Sequence, residues 1–481
     1  MFYKLLCFTI DGPMYSMIKK IYSNSKCCIN LRGHFTDWFP INYGVMQGDI
    51  LSPTIFNMYI NNLVVEVDRL NKGVPIGDRK VGILAYADDI VLIAENENDL
   101  QSMLSQICDW CRRWHMAINC NKTKILHFRN KRNIKTKFNF QIGENAIEIE
   151  NKYKYLGVVF NEFLDYNMTD LAFAQAGGRA LGSIINKFKA LKDMGYKTYS
   201  KLWDTCVTSV LDYGVGVWGL QIKRSESDKV LQRAMKFYLG VHKNTTNAAV
   251  IADMGWKCTD QRTQLESLRL WNRLINMPNS RLCKHVFLWD RHLNVTSWSS
   301  RIEQLFEMLN MSDVYDSMMY CDLKLADKKM WQHQIHLWKE TVSNKPKLGT
   351  YSIFKHTIEP EFYVKYMPRA KRSTLAQLRF GVLPLKVETA RFRRPVLPLN
   401  ERICGMCTLS KIEDEKHFVF ECSLYNEERI PWFNEICKLH SNFPSLHDDQ
   451  KISIVMSNFL QKITANFIYQ SSYKRKGVLY K

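Results

Sequence analysis

At 481 residues the chain can bury several cores, and roughly two to four domains are expected. Its 67 Lys and Arg against 47 Asp and Glu leave a net charge of +20 on an ordinary globular composition, which points to nucleic acid or an anionic surface as a partner. No stretch reaches transmembrane length, the first ten residues show no cleavage-site pattern, and the 14 scattered cysteines read as thiols or metal ligands of a non-secreted protein, not as a disulfide framework.

In chain order, Met14 to Tyr22 reads as a short helix opened by Gly12-Pro13, and Cys27 to Leu31 with Asp37 to Asn42 as a strand pair around Arg32-Gly33-His34. Gly44-Val45-Met46-Gln47-Gly48-Asp49-Ile50-Leu51-Ser52-Pro53 reads as a loop entering a helix. That helix carries Ile55, Phe56, Tyr59, Ile60, Leu63, Val64 and Val67 at helical spacing. Glycines let backbone approach a ligand closely, and a helix N-terminus favours phosphate. Ile83 to Ala94 is an apolar run broken by Asp88 and Asp89. It reads as strand, tight turn, strand, with the acids at the turn. Two adjacent carboxylates repel each other and persist where a cation neutralises them; fixed oxygen ligands suit Mg²⁺.

Asn96 to Trp114 is an amphipathic helix with Leu100, Met103, Leu104, Ile107, Cys108, Cys111 and Trp114 on its apolar stripe. Cys108, Cys111, His115 and Cys120 imitate a zinc spacing, but a regular helix cannot wrap four ligands around one metal, so the two stripe cysteines are expected in the core. Seven basic residues and no acid lie between Lys122 and Lys137, with Phe128 and beyond them Phe138 and Phe140 interleaved. Lys124, Arg129, Lys131 and Arg132 are candidate phosphate contacts there, and a solvated hairpin explains the charge equally well. Tyr153 to Phe160 alternates like one strand. Helices follow over Ala172 to Leu191, Lys201 to Tyr213 and Ser227 to Leu239, and Gln261 to Lys355 is helix-rich with Trp271, Trp331 and Trp338 as packing residues.

From Lys365 to Arg394, nine basic residues face Glu388 alone. Arg372, Arg379, Arg391, Arg393 and Arg394 are candidates for a second nucleic-acid surface, again with a solvated basic face as the alternative. Cys404, Cys407, His417 and Cys422 spell C-x2-C-x9-H-x4-C, and all four can converge on one tetrahedral Zn²⁺. Ser423 to Lys481 reads as helices ending in a basic tail at Lys474-Arg475-Lys476.

The Gly-x-x-Gln-Gly-x-x-x-Ser-Pro loop, the helix after it and the Tyr86-Ala87-Asp88-Asp89 hairpin together resemble the palm of reverse transcriptases from non-LTR (LINE-type) retrotransposons. The resemblance implies an α+β fold: a partial right-hand polymerase palm over 1–160, a helical thumb over 161–260, a helical basic region over 261–395, a small CCHC zinc knuckle over 396–430 and a helical tail over 431–481. It implies catalytic Mg²⁺ on Asp88 and Asp89, and nucleotide or template contacts at Gln47, Gly48 and Tyr86. It further implies a primer grip at Leu156 and Gly157 and a general acid at Lys122 for the leaving pyrophosphate, with Lys124 as its alternative. The implied partners are an RNA template, a DNA primer or target and dNTPs, with no membrane; the oligomeric state is not indicated.

The family also carries an aspartate on an earlier palm strand, in a Phe-x-Asp motif. Phe8-Thr9-Ile10-Asp11 lacks that spacing and runs straight into Gly12-Pro13, a turn and helix start. The expectation is therefore an RNA-directed DNA polymerase region that begins just after its first catalytic strand and is inactive as written. The alternative is a non-catalytic, nucleic-acid-binding zinc-knuckle protein.

Overall fold

The structure is a computed structural model that describes every residue except Asn24, Asn42, Tyr43, Asn294, Arg393, Tyr480 and Lys481. The ends of the expected strand at Asn42 and tail at Lys481 lie outside the described residues. The chain falls into two compact units, Met1–Tyr153 with Asn161–Leu164, and Lys154–Phe160 with Asp165–Lys481. The whole is mixed helical with small sheets, and among the described residues every sheet is two-stranded. No described helix is long and apolar enough to cross a membrane.

In the first unit, Pro53 stands at the start of helix Ser52–Asp68, where its missing N–H costs no helical hydrogen bond. The helix buries Ile55, Ile60, Leu63 and Val67, and the last three join Ile83, Met103, Ile107 and Trp110 in one core. Helix Glu97–Arg113 is capped by the Asn96 side chain, which accepts the Asp99 N–H at 2.9 Å. Its neighbouring stripe residue Leu104 faces a second cluster with Ile125, Phe140, Ile142 and Ile147. Cys111 packs against the first core and Cys108 against the second, as small apolar side chains do.

Two strand expectations need correction. Cys27 to Leu31 is not one strand: Lys26–Cys27 pairs with Phe39–Pro40, and Asn30–Leu31 pairs with His34–Phe35. Tyr153 to Phe160 is also not one strand. Leu156 and Gly157 take φ of +45° and +87°, which turns the chain back, so Lys152–Tyr155 and Val158–Asn161 form a hairpin. A left-handed Leu-Gly pair matches the twist of its flanking strands, and alternation alone does not reveal it.

In the second unit, helix Asn167–Ala190 packs on Ser225–Leu239 and on a wider-wound turn, Trp203–Thr208. The largest core runs from Leu181 and Phe188 through Trp338 and Leu375 to Phe467 and Ile468. A smaller one is built around Trp271, Phe306 and Tyr315.

Candidate active site and metal centre

The acidic pair stands on the hairpin Ile83–Tyr86 and Asp89–Leu92, with Ile83 opposite Leu92 and Tyr86 opposite Asp89. Ala87 and Asp88 are the two turn residues, and Ala87 takes φ of +51°. Asp89 is thus the first residue of the returning strand, one place later than the expected turn position. Buried Ile83 anchors the base, while Tyr86, Asp88 and Asp89 are all exposed at the tip. Neither carboxylate bears the desolvation cost of the apolar run. Among the described residues neither has a cation beside it, and no third acid, histidine or cysteine joins them within metal-ligating distance. Asp11 is exposed between helices Phe2–Cys7 and Gly12–Ser23, so the segment Phe8 to Asp11 makes a turn and no strand.

The glycine loop is built by hydrogen bonds at its C-terminal half. Ser52 Oγ donates to the Met46 carbonyl at 2.6 Å, and the Tyr22 hydroxyl donates to Asp49 Oδ2 at 2.7 Å. Burial pushes the Tyr22 hydroxyl up, so it remains a donor. Gln47 and Gly48 form the exposed turn of the loop, and Gly48 takes φ of +90°, a conformation that glycine adopts without a Cβ clash. Tyr43, just ahead of Gly44, lies outside the described residues.

Lys122 is exposed in a turn, with its carbonyl accepting the Tyr153 hydroxyl at 3.2 Å. Lys124 is ion-paired to Glu148, which raises its pKa through that hydrogen bond. Among the described residues the Lys122 ammonium has no such partner. Arg129 donates to Glu162 at 2.8 Å and covers the Phe163 ring, so it braces the first unit. Lys131 and Arg132 stay exposed. In the second unit, Leu156 and Gly157 form the hairpin turn, and the Gly157 backbone lies against the Tyr213 ring.

The second basic stretch requires the largest correction. Arg372 and Arg379 are 1% and 3% exposed and belong to the core of the second unit. Helix Arg369–Arg379 buries Arg372, Leu375, Ala376, Leu378 and Arg379, a helical stripe in which two of the five residues are cationic. Arg372 donates to Asp193 at 2.7 Å and to the Tyr238 and Met367 carbonyls. Arg379 donates to both oxygens of fully buried Asp253, at 2.8 and 3.2 Å. Neither is available to a phosphate. Arg391 and Arg394 are exposed, with Arg391 3.4 Å from Glu388, and Arg393 lies outside the described residues.

Cys404, Cys407, His417 and Cys422 converge, with ligand atoms all within 4.8 Å of one another. Cys404 Sγ and Cys422 Sγ are 3.9 Å apart, and Cys407 Sγ is 3.4 Å from His417 Nε2. Tetrahedral zinc with bonds of about 2.0–2.3 Å puts ligand atoms roughly 3.3–3.8 Å apart, so this donor set fits the ion. Burial pushes the Cys404 thiol up to about 12 and raises Cys422 as well. Thiolates at such a place need a bound cation. The helix-borne spacing Cys108, Cys111, His115 and Cys120 forms no such cluster among the described residues. Sequence reading missed Glu421, whose Oε2 lies 3.1 Å from His417 Nδ1; its signal was the four-residue spacing from the histidine.

Residues 1–160 match the family described as Reverse transcriptase (RNA-dependent DNA polymerase). The chain is 30% identical over 158 residues to the Retrovirus-related Pol polyprotein from type-1 retrotransposable element R2 of Nasonia vitripennis, covering 31% of this chain and 15% of that protein. It is 24% identical over 425 residues to the protein of the same description from Popillia japonica, covering 83% and 52%. It is 23% identical over 233 residues to the Probable RNA-directed DNA polymerase from transposon BS of Drosophila melanogaster, covering 47% and 25%. The chain thus spans about half or less of the length of these relatives. A reverse transcriptase domain implies a polymerase palm-and-thumb architecture, and the relatives are proteins of retrotransposable element R2 and of transposon BS, the last a probable RNA-directed DNA polymerase.

Proposed function

We propose that residues 1–160 are a reverse transcriptase domain of the non-LTR retrotransposon type in which the Asp88–Asp89 hairpin supplies two of the metal-binding carboxylates for RNA-directed DNA synthesis. The observation that carries the reading is the exposed pair of adjacent carboxylates held at the tip of an anchored hairpin, with no protein cation beside them among the described residues. On this reading the chain divides into palm over 1–160, thumb over 161–260, helical basic region over 261–395, zinc knuckle over 396–430 and helical tail over 431–481. Asp88 and Asp89 would hold Mg²⁺, which when bound offsets the charge developing on the transferred phosphate. The exposed Gln47–Gly48 turn offers backbone to the incoming nucleotide and template, with Tyr86 beside the acids. Lys122 donates a proton to the leaving pyrophosphate, a role its unpaired ammonium suits better than Lys124. The Leu156-Gly157 turn presents backbone to the DNA primer, and Lys131, Arg132, Arg391 and Arg394 track phosphates of template and primer. The four-residue Cys/His centre holds a structural Zn²⁺.

A second reading, nucleic-acid binding without polymerisation, rests on the acidic pair standing without a third acid beside it among the described residues. One experiment separates them. Purified residues 1–481 are given an RNA template, DNA primer, dNTPs and Mg²⁺, and binding is followed against salt. Primer extension that Asp88→Asn abolishes, with binding kept within a few-fold, supports polymerisation. Binding that weakens steeply with salt but no extension supports the second reading. Extension unchanged in Asp88→Asn refutes the assignment of the hairpin.

A further inference from the structure

Two carboxylates flank the Cys/His centre, and each is tied to a different cation. Glu421 Oε2 lies 3.1 Å from His417 Nδ1, and its other oxygen accepts from Lys411 at 2.7 Å. Glu421 is thereby held between Lys411 and His417. With Nδ1–H donated to Glu421, the His417 Nε2 lone pair points into the cluster, 3.4 Å from Cys407 Sγ. On the other side Glu413 Oε1 is 3.6 Å from Cys404 Sγ. Glu413 accepts the Lys386 N–H at 2.7 Å and is ion-paired with Arg475, whose Nη2 lies 3.0 Å from Oε2. Arg475 sits in the last helix, Gln461–Leu479, and also donates to the Pro384 carbonyl at 3.2 Å. Arg429 closes the turn by donating to the Val419 carbonyl at 2.9 Å and the Cys422 carbonyl at 2.7 Å. The ligand turn is packed into the main core of the second unit, with Phe418 and Val419 buried in the same cluster as Phe467 and Ile468.

We infer that this centre is a fastener for the last helix. Lys411 and Glu421 are positioning residues for His417, and the Glu413–Arg475 pair transmits the closed ligand loop to Gln461–Leu479. The physical reason is charge. Arg475 is buried, and its guanidinium is matched by a carboxylate carried on the metal loop. When the metal leaves, the loop that fixes Glu413 loses its closure. A buried guanidinium without its partner then favours release of the helix to water. The inference rests on zinc as the ion at these four residues.

The test uses the full chain, with zinc withdrawn by a chelator and returned by titration. Glu421→Gln should raise the zinc dissociation constant about 10–100-fold, with the folded spectrum recovered at saturating zinc. Zinc withdrawal should speed amide exchange across 461–479 while helix Glu97–Arg113 in the first unit keeps its protection. Wild-type zinc affinity in Glu421→Gln overturns the positioning role, and undiminished protection of 461–479 without zinc overturns the fastener. Absence of zinc from the wild-type chain overturns the inference together with the metal assignment.

Discussion

Replacing Arg379 with alanine leaves Asp253 and Glu361 inside the second unit with Lys355 as their remaining cation. The guanidinium contributes two hydrogen bonds to Asp253, at 2.8 and 3.2 Å, and approaches Glu361 to 3.3 Å. Lys355 pairs closely with Glu361 but reaches Asp253 only at 3.9 Å. Removing one member of a buried pair costs about 3–5 kcal/mol. That is a large share of the roughly 5–15 kcal/mol by which domains are stable, and it should lower the melting temperature on the order of 10 °C. The effect also depends on pH. Burial alone would raise the Asp253 carboxyl, but Arg379, Lys355 and the Tyr351 hydroxyl hold it below its ordinary value. A lowered carboxyl contributes stability that is present above the unfolded value of about 3.9 and is lost as pH falls through the folded value. The gap between wild type and variant should therefore narrow below pH of about 4. Thermal melts across pH, with RNA binding measured beside them, check the argument. A variant that melts like wild type and loses RNA affinity would refute the structural role and return Arg379 to the nucleic-acid surface.

Two further outcomes are expected. Gly157→Ala should destabilise the second unit by about 1–3 kcal/mol, because the residue takes φ of +87° and an added Cβ would lie 3.1 Å from the Tyr213 ring; a denaturant midpoint unchanged from wild type would contradict it. Cys404→Ser should lose zinc by metal analysis while Cys108→Ser keeps it, since the first thiol belongs to the converging set and the second packs against a core; the reverse result would move the metal site.

The acidic hairpin was legible because an apolar run broken by two acids leaves the chain few alternatives: the acids must reach water, and a turn is the shortest way there. The helix Glu97–Arg113 was legible from its stripe and its Asn96 cap, although buried Trp110 was missed in favour of flanking Trp114. The Cys404 to Cys422 convergence was legible from spacing and ligand type together. The hairpin at Leu156-Gly157 was not, because period-two alternation continues straight through a two-residue turn of left-handed residues. Lys474-Arg475-Lys476 reads as a basic tail, yet Arg475 is buried. Its partner Glu413 is 62 residues away, a separation that local pattern cannot bridge.

The charge of +20 shows the same limit from another side. A sum over side chains weighs a cation in water and a cation in a core equally, but only the first can release counterions from a phosphate chain. In the basic stretch before Phe138, Lys124 and Arg129 are already paired with Glu148 and Glu162. In the stretch before Pro395, Arg372 and Arg379 are matched by Asp193 and Asp253. Each of those four residues is paired within its own unit, whereas Lys131, Arg132 and Arg394 are exposed and Arg391, exposed as well, lies 3.4 Å from Glu388. The helical spacing of 372, 375, 376 and 379 was the sign available in the sequence: cations that keep the period of an apolar stripe belong to the buried face, and they imply acids on whatever packs against it.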